Sequence, residues 1–260
     1  MEYHAYDIFL TLLRMGNSTQ VEQLSQLRTV CFRKKPFTIS RLIAEGTRYR
    51  NQLHLQAGTE CKFRFTYLND LSFKYFASVF FTDPLPSVRL GHANFQINHV
   101  RTTASETEGW GSAVSYDQLI DTARTETRML IRFHSPTVLP YGRARRNETS
   151  INLVSFYENW AKKWNTFVAS RWIDMDKLLE FVENRAGITE VDFKYRTQDI
   201  SAGQITGFVG TLTYQFFIEK LFADPDDLKM LRLANLLADY TFYCGTGYHT
   251  TIGMGQTRRE

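Results

Sequence analysis

Between Thr127 and Arg259 the apolar residues alternate between the two-residue period of a strand and the 3.6-residue period of a helix, and that order limits the folds open to this chain. Residues 127–134 (TRMLIRFH) are a short apolar run halted at Ser135-Pro136, a turn pair, which predicts a buried strand. After an Arg-rich connection, YGRARRNETS, residues 151–169 set Leu153, Phe156, Tyr157, Trp160, Trp164 and Phe167 on one helical face, with Lys162 and Lys163 off it. A second helix is predicted over Asp174–Ala186, ending at Gly187. ITEVDFKYRTQDI and QITGFVGTLTYQFF follow as a hairpin about Ser201-Ala202-Gly203. Asp224-Pro225-Asp226-Asp227 opens a last helix, with acids and a proline in its first turn, and Thr250–Arg258 supplies a closing strand. Strand, helix, strand, strand, helix, strand is the order of the split βαβ, or ferredoxin-like, unit.

The first half repeats part of that order. Ala5, Ile8, Phe9, Leu12 and Leu13 form a helical stripe, with a second helical segment near Val21–Leu27. Strands are expected over Phe37–Ile43 and Cys61–Tyr67, a helix over Leu71–Phe81 stopped by Asp83-Pro84, and strand structure over Val88–Thr103. The predicted fold is therefore α+β, with two tandem ferredoxin-like (RRM-like, βαββαβ) domains. They span residues 1–125 and 126–260, the first without its first strand.

With 43% apolar residues the chain can bury a core, and no stretch approaches the roughly 20 apolar residues of a membrane span. An acid at Glu2 stands where a secretory signal carries basic residues, so a cytoplasmic, membrane-free protein is expected. Cys31, Cys61 and Cys244 are odd in number and widely spaced, which suits reduced thiols and excludes a disulfide framework or a CxxC zinc site. No His/Asp/Glu cluster has metal-ligand spacing, and neither a metal nor another cofactor is expected. The net charge of +4 is mild, but 21 of the 31 basic residues are Arg, whose planar fork suits phosphate and bases.

The motif that decides between readings is GTGYHTTIGMGQTRR, Gly245–Arg259. Its glycines, Gly245, Gly247, Gly253 and Gly255, let backbone N–H groups turn toward a ligand and let a phosphate chain approach closely. It lacks the Gly-Lys-Ser/Thr of a Walker loop and follows a helix, unlike a dinucleotide fingerprint. At the end of a second ferredoxin-like unit, this run resembles the glycine-rich signature of the CRISPR-associated precursor-RNA endoribonucleases of the RAMP superfamily. GWGSAVSYDQLI, the strand into SPT at 135–137, the helix with WAKKWN and GFVGTLTY at 207–214 are similar to cyanobacterial-type members. At the loop position held by His249 the family more often has Lys or Arg.

The resemblance implies cleavage of CRISPR repeat RNA to release guide RNAs, without metal. The 2′-hydroxyl is the nucleophile and the ends left are a 2′,3′-cyclic phosphate and a 5′-hydroxyl. It places a catalytic His on the first helix, where this chain has His4, with His249 as the second candidate. His54, His92, His99 and His134 lie in or near strand runs without companion carboxylates and read as structural or surface residues. RNA-binding candidates are Gly245, Gly247, Tyr248, Gly253, Gly255 and Arg258 of the loop, with Lys162, Lys163 and Arg171 on and after the helix. Tyr3, Tyr6, Arg143, Arg145 and Arg146 are weaker candidates. The expected partners are CRISPR repeat RNA and other CRISPR-associated proteins, the chain itself being a monomer or weak homodimer. A non-catalytic RNA-holding subunit is the alternative.

Overall fold

A computed structural model describes residues 11–12, 35–44, 47–49, 52–78, 80, 85–90, 93–139, 151–200, 203–218 and 224–260. Its elements in chain order are β1 (Phe37–Ile39), β2 (Ile43–Ala44), β3 (Thr47–Tyr49), β4 (Gln52–His54), β5 (Cys61–Lys62), β6 (Phe65–Tyr67), α1 (Asp70–Ser78), β7 (Ser87–Leu90) and β8 (Ala93–Gln96). There follow α2 (Tyr116–Asp121), β9 (Arg128–Thr137), α3 (Leu153–Phe167), α4 (Met175–Arg185), β10 (Ala186–Ile200), β11 (Gly203–Phe216), α5 (Pro225–Cys244) and β12 (Thr257–Arg259). The chain divides into two compact units. One holds Met1–Ala113, Gln198–Ile205 and Thr251–Gly253, the other Val114–Thr197, Thr206–Thr250 and Met254–Glu260. Among the described residues no helix is long and apolar enough to cross a membrane.

The second unit is built on a four-stranded sheet in the order β10-β11-β9-β12. Numbered within the unit that is second, third, first, fourth, with β9 antiparallel to both neighbours, which is the strand order of a split βαβ arrangement. β9 is the strand expected here, and it alternates over most of its length, burying Met129, Ile131 and Phe133 and leaving Arg128, Arg132 and His134 on the other face. α3 lays Phe156, Tyr157, Trp160 and Trp164 against that buried face, each at most 1% exposed, at about 1.5–3 kcal/mol apiece. Phe133 packs on Phe156, Phe193 and Phe208 with centroids 5.5, 5.6 and 5.0 Å away, and Trp164 meets Tyr240 of α5 edge-on at 5.1 Å. The Tyr157 and Tyr214 hydroxyls satisfy each other at 2.8 Å inside this core.

Two predictions in this unit need correction. Ser135-Pro136 does not end the first strand, because β9 runs through both to Thr137. β12 pairs only with residues 131–133, so Pro136 lies past that ladder, near the register shift between Phe208 and Gly210, where a missing N–H costs nothing. Nor is Thr250–Arg258 a continuous strand. Thr250–Ile252 is a 3₁₀ turn and only Thr257–Arg259 is β, since Gly253 and Gly255, at φ 97° and 68°, turn the chain between them.

The first unit is assembled from short pairs, β1 with β6, β2 with β5, β3 with β4 and β7 with β8. The predicted strands at Phe37–Ile43 and Cys61–Tyr67 are each broken in two, and Val88–Thr103 narrows to the hairpin β7–β8. α1 is where its pattern put it. Leu12, Phe37, Ile39, Phe76, Val88 and, from the glycine-rich segment, Ile252 form the core of this unit. The helices predicted before residue 30 lie outside the described residues except for helical residues 11–12.

Candidate nucleic-acid interface

The glycine-rich segment begins where α5 ends. Asp224 caps that helix by accepting the Asp226 N–H, Pro225 opens it, and Gly245 closes it at φ 62°. No basic residue stands in its last turn, so the terminal carbonyls and the negative end of the helix dipole have no cation from the helix itself. α3 provides one. Lys163 Nζ donates to the carbonyl oxygens of Cys244 at 3.1 Å and Gly245 at 2.9 Å. One turn back Trp160 Nε1 donates to Thr246 Oγ1 at 2.9 Å, and Asn159 Oδ1 accepts the Gly247 N–H at 2.8 Å. Three side chains from one stretch of α3 thus hold consecutive loop residues.

The far end of the loop is fastened to β9. The Gly255 N–H donates to the Pro136 carbonyl at 3.0 Å, the Gln256 N–H to Ser135 Oγ at 2.9 Å and the Tyr248 N–H to the Val138 carbonyl at 2.8 Å. The two ends meet through the Thr246 N–H on the Gly255 carbonyl and through the Thr246 and Thr257 hydroxyls, both 2.8 Å. The N–H groups of Gly245, Gly247 and Gly255 are therefore bonded within the protein, not turned toward a ligand as expected. These glycines are needed for closeness instead. A Cβ on Gly247 would lie 2.1 Å from the Val138 carbonyl oxygen, and one on Gly255 2.0 Å from that of Thr246. Gly253, in the first unit, is packed on Arg41.

Tyr248 and His249 form the turn of this frame. Tyr248 is 39% exposed and His249 half-buried, their rings 6.2 Å apart. His249 holds φ 60°, a left-handed conformation uncommon outside glycine, and its carbonyl accepts the Met254 N–H at 3.3 Å. His4, Tyr3, Tyr6, Arg143, Arg145 and Arg146 lie outside the described residues.

The basic candidates separate. Lys163 faces inward, and burial pushes its ammonium down to about 8, with the Cys244 thiol a smaller influence that raises it. Burial pushes that thiol up to about 12, so it stays neutral beside the lysine. Lys162 faces solvent and pairs with Glu158 at 2.6 Å. Arg171 is exposed, 3.6 Å from Asp117. Arg258 lies 5.8 Å from the Phe242 ring. His134 does have a carboxylate neighbour, against expectation, with Glu260 at 3.9 Å from its Nε2. Among the described residues no three His, Cys, Asp or Glu gather as a metal site. Asn159 and Thr246 carry no sequence motif that marks them, and Trp160 reads from its spacing only as a core residue. Asn159 lies on the flank of the apolar stripe of α3, where a polar side chain gives no sign of its 9% exposure.

The sheet in split βαβ order, closed by a glycine-rich loop, sets the fold class, and comparison with known families assigns it to the RNA-handling RAMP proteins. The model for CRISPR-associated endoribonuclease Cas6 matches residues 131–257, and that for the CRISPR Cas6 N-terminal domain matches residues 2–121. The chain belongs to the CRISPR-associated Cas6 endoribonuclease family, and its activity is that of an endoribonuclease on CRISPR precursor RNA. No curated protein matches its sequence. Among solved structures, a Cas6 product complex has a TM-score of 0.77 at 19% identity, covering 100% of this chain and 93% of the other. Cas6 of Thermus thermophilus gives 0.69 at 18%, covering 99% and 90%. A Cas6-related protein of Pyrococcus furiosus gives 0.53 at 11%, covering 100% and 90%. At these identities the likeness speaks for the fold.

Proposed function

We propose that the chain cuts the repeat of CRISPR precursor RNA without metal, by attack of the 2′-hydroxyl on the adjacent phosphorus. The P–O5′ bond breaks, leaving a 2′,3′-cyclic phosphate and a 5′-hydroxyl. Such a reaction needs a base for the 2′-hydroxyl, an acid for the leaving oxygen and donors for the charge that builds on phosphate. His4 and His249 are the residues to which we assign the proton transfers, because imidazole titrates near neutrality. His249 carries this reading. A non-glycine residue held at positive φ in a loop fastened at both ends is the kind of cost that persists where the position of a side chain matters.

RNA contact is assigned to the turn of the loop, Tyr248 and His249, with Gly245, Gly247, Gly253 and Gly255 fixing its path. Arg258, Lys162 and Arg171 supply charge at the surface. That solved relatives are a product complex and a substrate-mimic complex supports an RNA-binding role for the fold. We further infer that residues 1–125 form an N-terminal ferredoxin-like domain lacking its first strand, ahead of the C-terminal one of residues 126–260, and that the chain works in the cytoplasm as a monomer or weak homodimer, alongside other CRISPR-associated proteins. A nearer kinship with cyanobacterial-type members rests on the quoted sequence segments, while named source organisms of the solved relatives are Thermus and Pyrococcus.

The test is to incubate labelled repeat RNA with the protein with and without EDTA and to map the product ends. Cleavage at one position, at equal rates in both, is expected, falling by about 10²–10⁴ in His4→Ala or His249→Ala. Loss of cleavage in EDTA would overturn the mechanism. Binding without cleavage by the unaltered protein would make it an RNA-holding subunit.

A further inference from the structure

Outside the loop, the second unit carries an exposed tryptophan on a turn that the core holds still. Trp172 is 66% exposed, whereas Trp160 and Trp164 are at most 1% exposed. It follows the 3₁₀ turn Ala169–Arg171 that links α3 to α4, and its backbone is extended at φ −63° and ψ 137°. Both neighbours are pinned by α3. Trp164 Nε1 donates to the Arg171 carbonyl at 2.8 Å. Asn165 brackets Ile173, accepting its N–H and donating to its carbonyl, both at 2.8 Å. Ile173 is itself buried, at 4%.

An indole exposed this far forgoes burial that a residue of its size would normally take. A rigid mount removes most of the entropy cost of using it in binding. The charges around it also fit one ligand. Arg171 beside it is solvent-exposed, and its 3.6 Å approach to the equally exposed Asp117 is an ion pair of negligible strength, easily exchanged for phosphate. The nearest following acid, Asp174, is engaged as the cap of α4, accepting the Lys177 N–H at 3.3 Å. A flat π-face next to a free-reaching guanidinium is the pairing that takes an unstacked base on one side and its phosphate on the other.

We propose that Trp172 is a base-stacking contact for single-stranded RNA outside the glycine-rich loop, with Arg171 taking the adjoining phosphate. This rests on the chain binding repeat RNA. Intrinsic fluorescence of the full chain is followed during titration with unmodified repeat RNA in EDTA, and the same samples run on a denaturing gel report cleavage. RNA quenches the wild type, and Trp172→Phe, which keeps a ring but removes that fluorophore, loses the quench while retaining affinity. Trp172→Ala weakens binding about ten-fold with the slope of log affinity against log salt unchanged. Arg171→Ala lowers that slope by about one contact.

Cleavage and binding by the wild type with no Trp172-dependent quench, or with Trp172→Ala binding as tightly, would overturn the stacking site and leave the nuclease intact. Loss of self-association, by sedimentation, with RNA affinity unchanged would make the surface a protein contact and overturn it too. Failure of the wild type to bind repeat RNA at all would instead remove the RNA reading beneath it.

Discussion

Lys163 shows how far a residue's type can mislead about its work. Off the apolar stripe of α3, it read as a solvent-facing cation for phosphate, as did Lys162 next to it. The structure sends the two in opposite directions, Lys162 to Glu158 and Lys163 to the carbonyls that end α5. Helical spacing held part of that distinction, since Lys163 follows Trp160 by three residues and Phe156 by seven, on the flank of the stripe, whereas Lys162 lies on the opposite face; what it could not give is the helix end packed there. The buried ammonium also gives a prediction with a definite sign. Its folded value is about 8 against an ordinary 10.5, so between those limits the unfolded chain holds a proton that the folded one lacks. Stability relative to Lys163→Met should therefore be flat below pH 8, rise with pH across the window, and level off above it. Urea unfolding of both proteins at several pH values measures this, and parallel profiles would refute the burial of that charge.

At the scale of elements, the order of strands and helices in the second unit was legible because each element carries its own period. Element ends were not, because Pro136 and the loop glycines take their meaning from register with a neighbouring strand. β12 is the clearest case. It has three residues, and its place is secured by Arg259, whose guanidinium is 2% exposed and reaches Glu126 at 2.6 Å and Asp239 at 3.4 Å. By its place in the motif Arg258 reads as an RNA contact, and Arg259 only as the motif's end. Arg259→Met should lower stability by ~2 kcal/mol, the scale of hydrogen bonds to charged groups. That falls short of the 3–5 kcal/mol typical of a fully buried pair. The partners are partly solvated, and Arg124 still holds Asp239 at 2.8 Å. Arg259→Lys should not restore the loss, since an ammonium lacks the fork that reaches two carboxylates. The shift of the urea midpoint decides both points.

For the whole molecule, the sequence reads as two halves that meet near residue 125, and the compact units add an exchange of short segments that no sequence period announces. Gln198–Ile205 and Thr251–Gly253 belong with the first unit although the second surrounds them in sequence. Ile252, 6% exposed, sits in the first unit's core, and nothing in a motif chosen for its glycines marks it as a core residue. A cooperative single unfolding transition is expected by calorimetry, with Ile252→Ala, a cavity of about 2–5 kcal/mol, shifting it as a whole. Two resolved transitions, only one of them moved, would contradict this. The interleaving also bears on how such a gene can change. A recombination that replaced the first 113 codons with those of a relative would bring in a unit whose remaining core residues stay behind in the recipient. Exchanges that carry Gln198–Ile205 and Thr251–Gly253 along with the first unit keep its core together, so the two units evolve under a shared constraint.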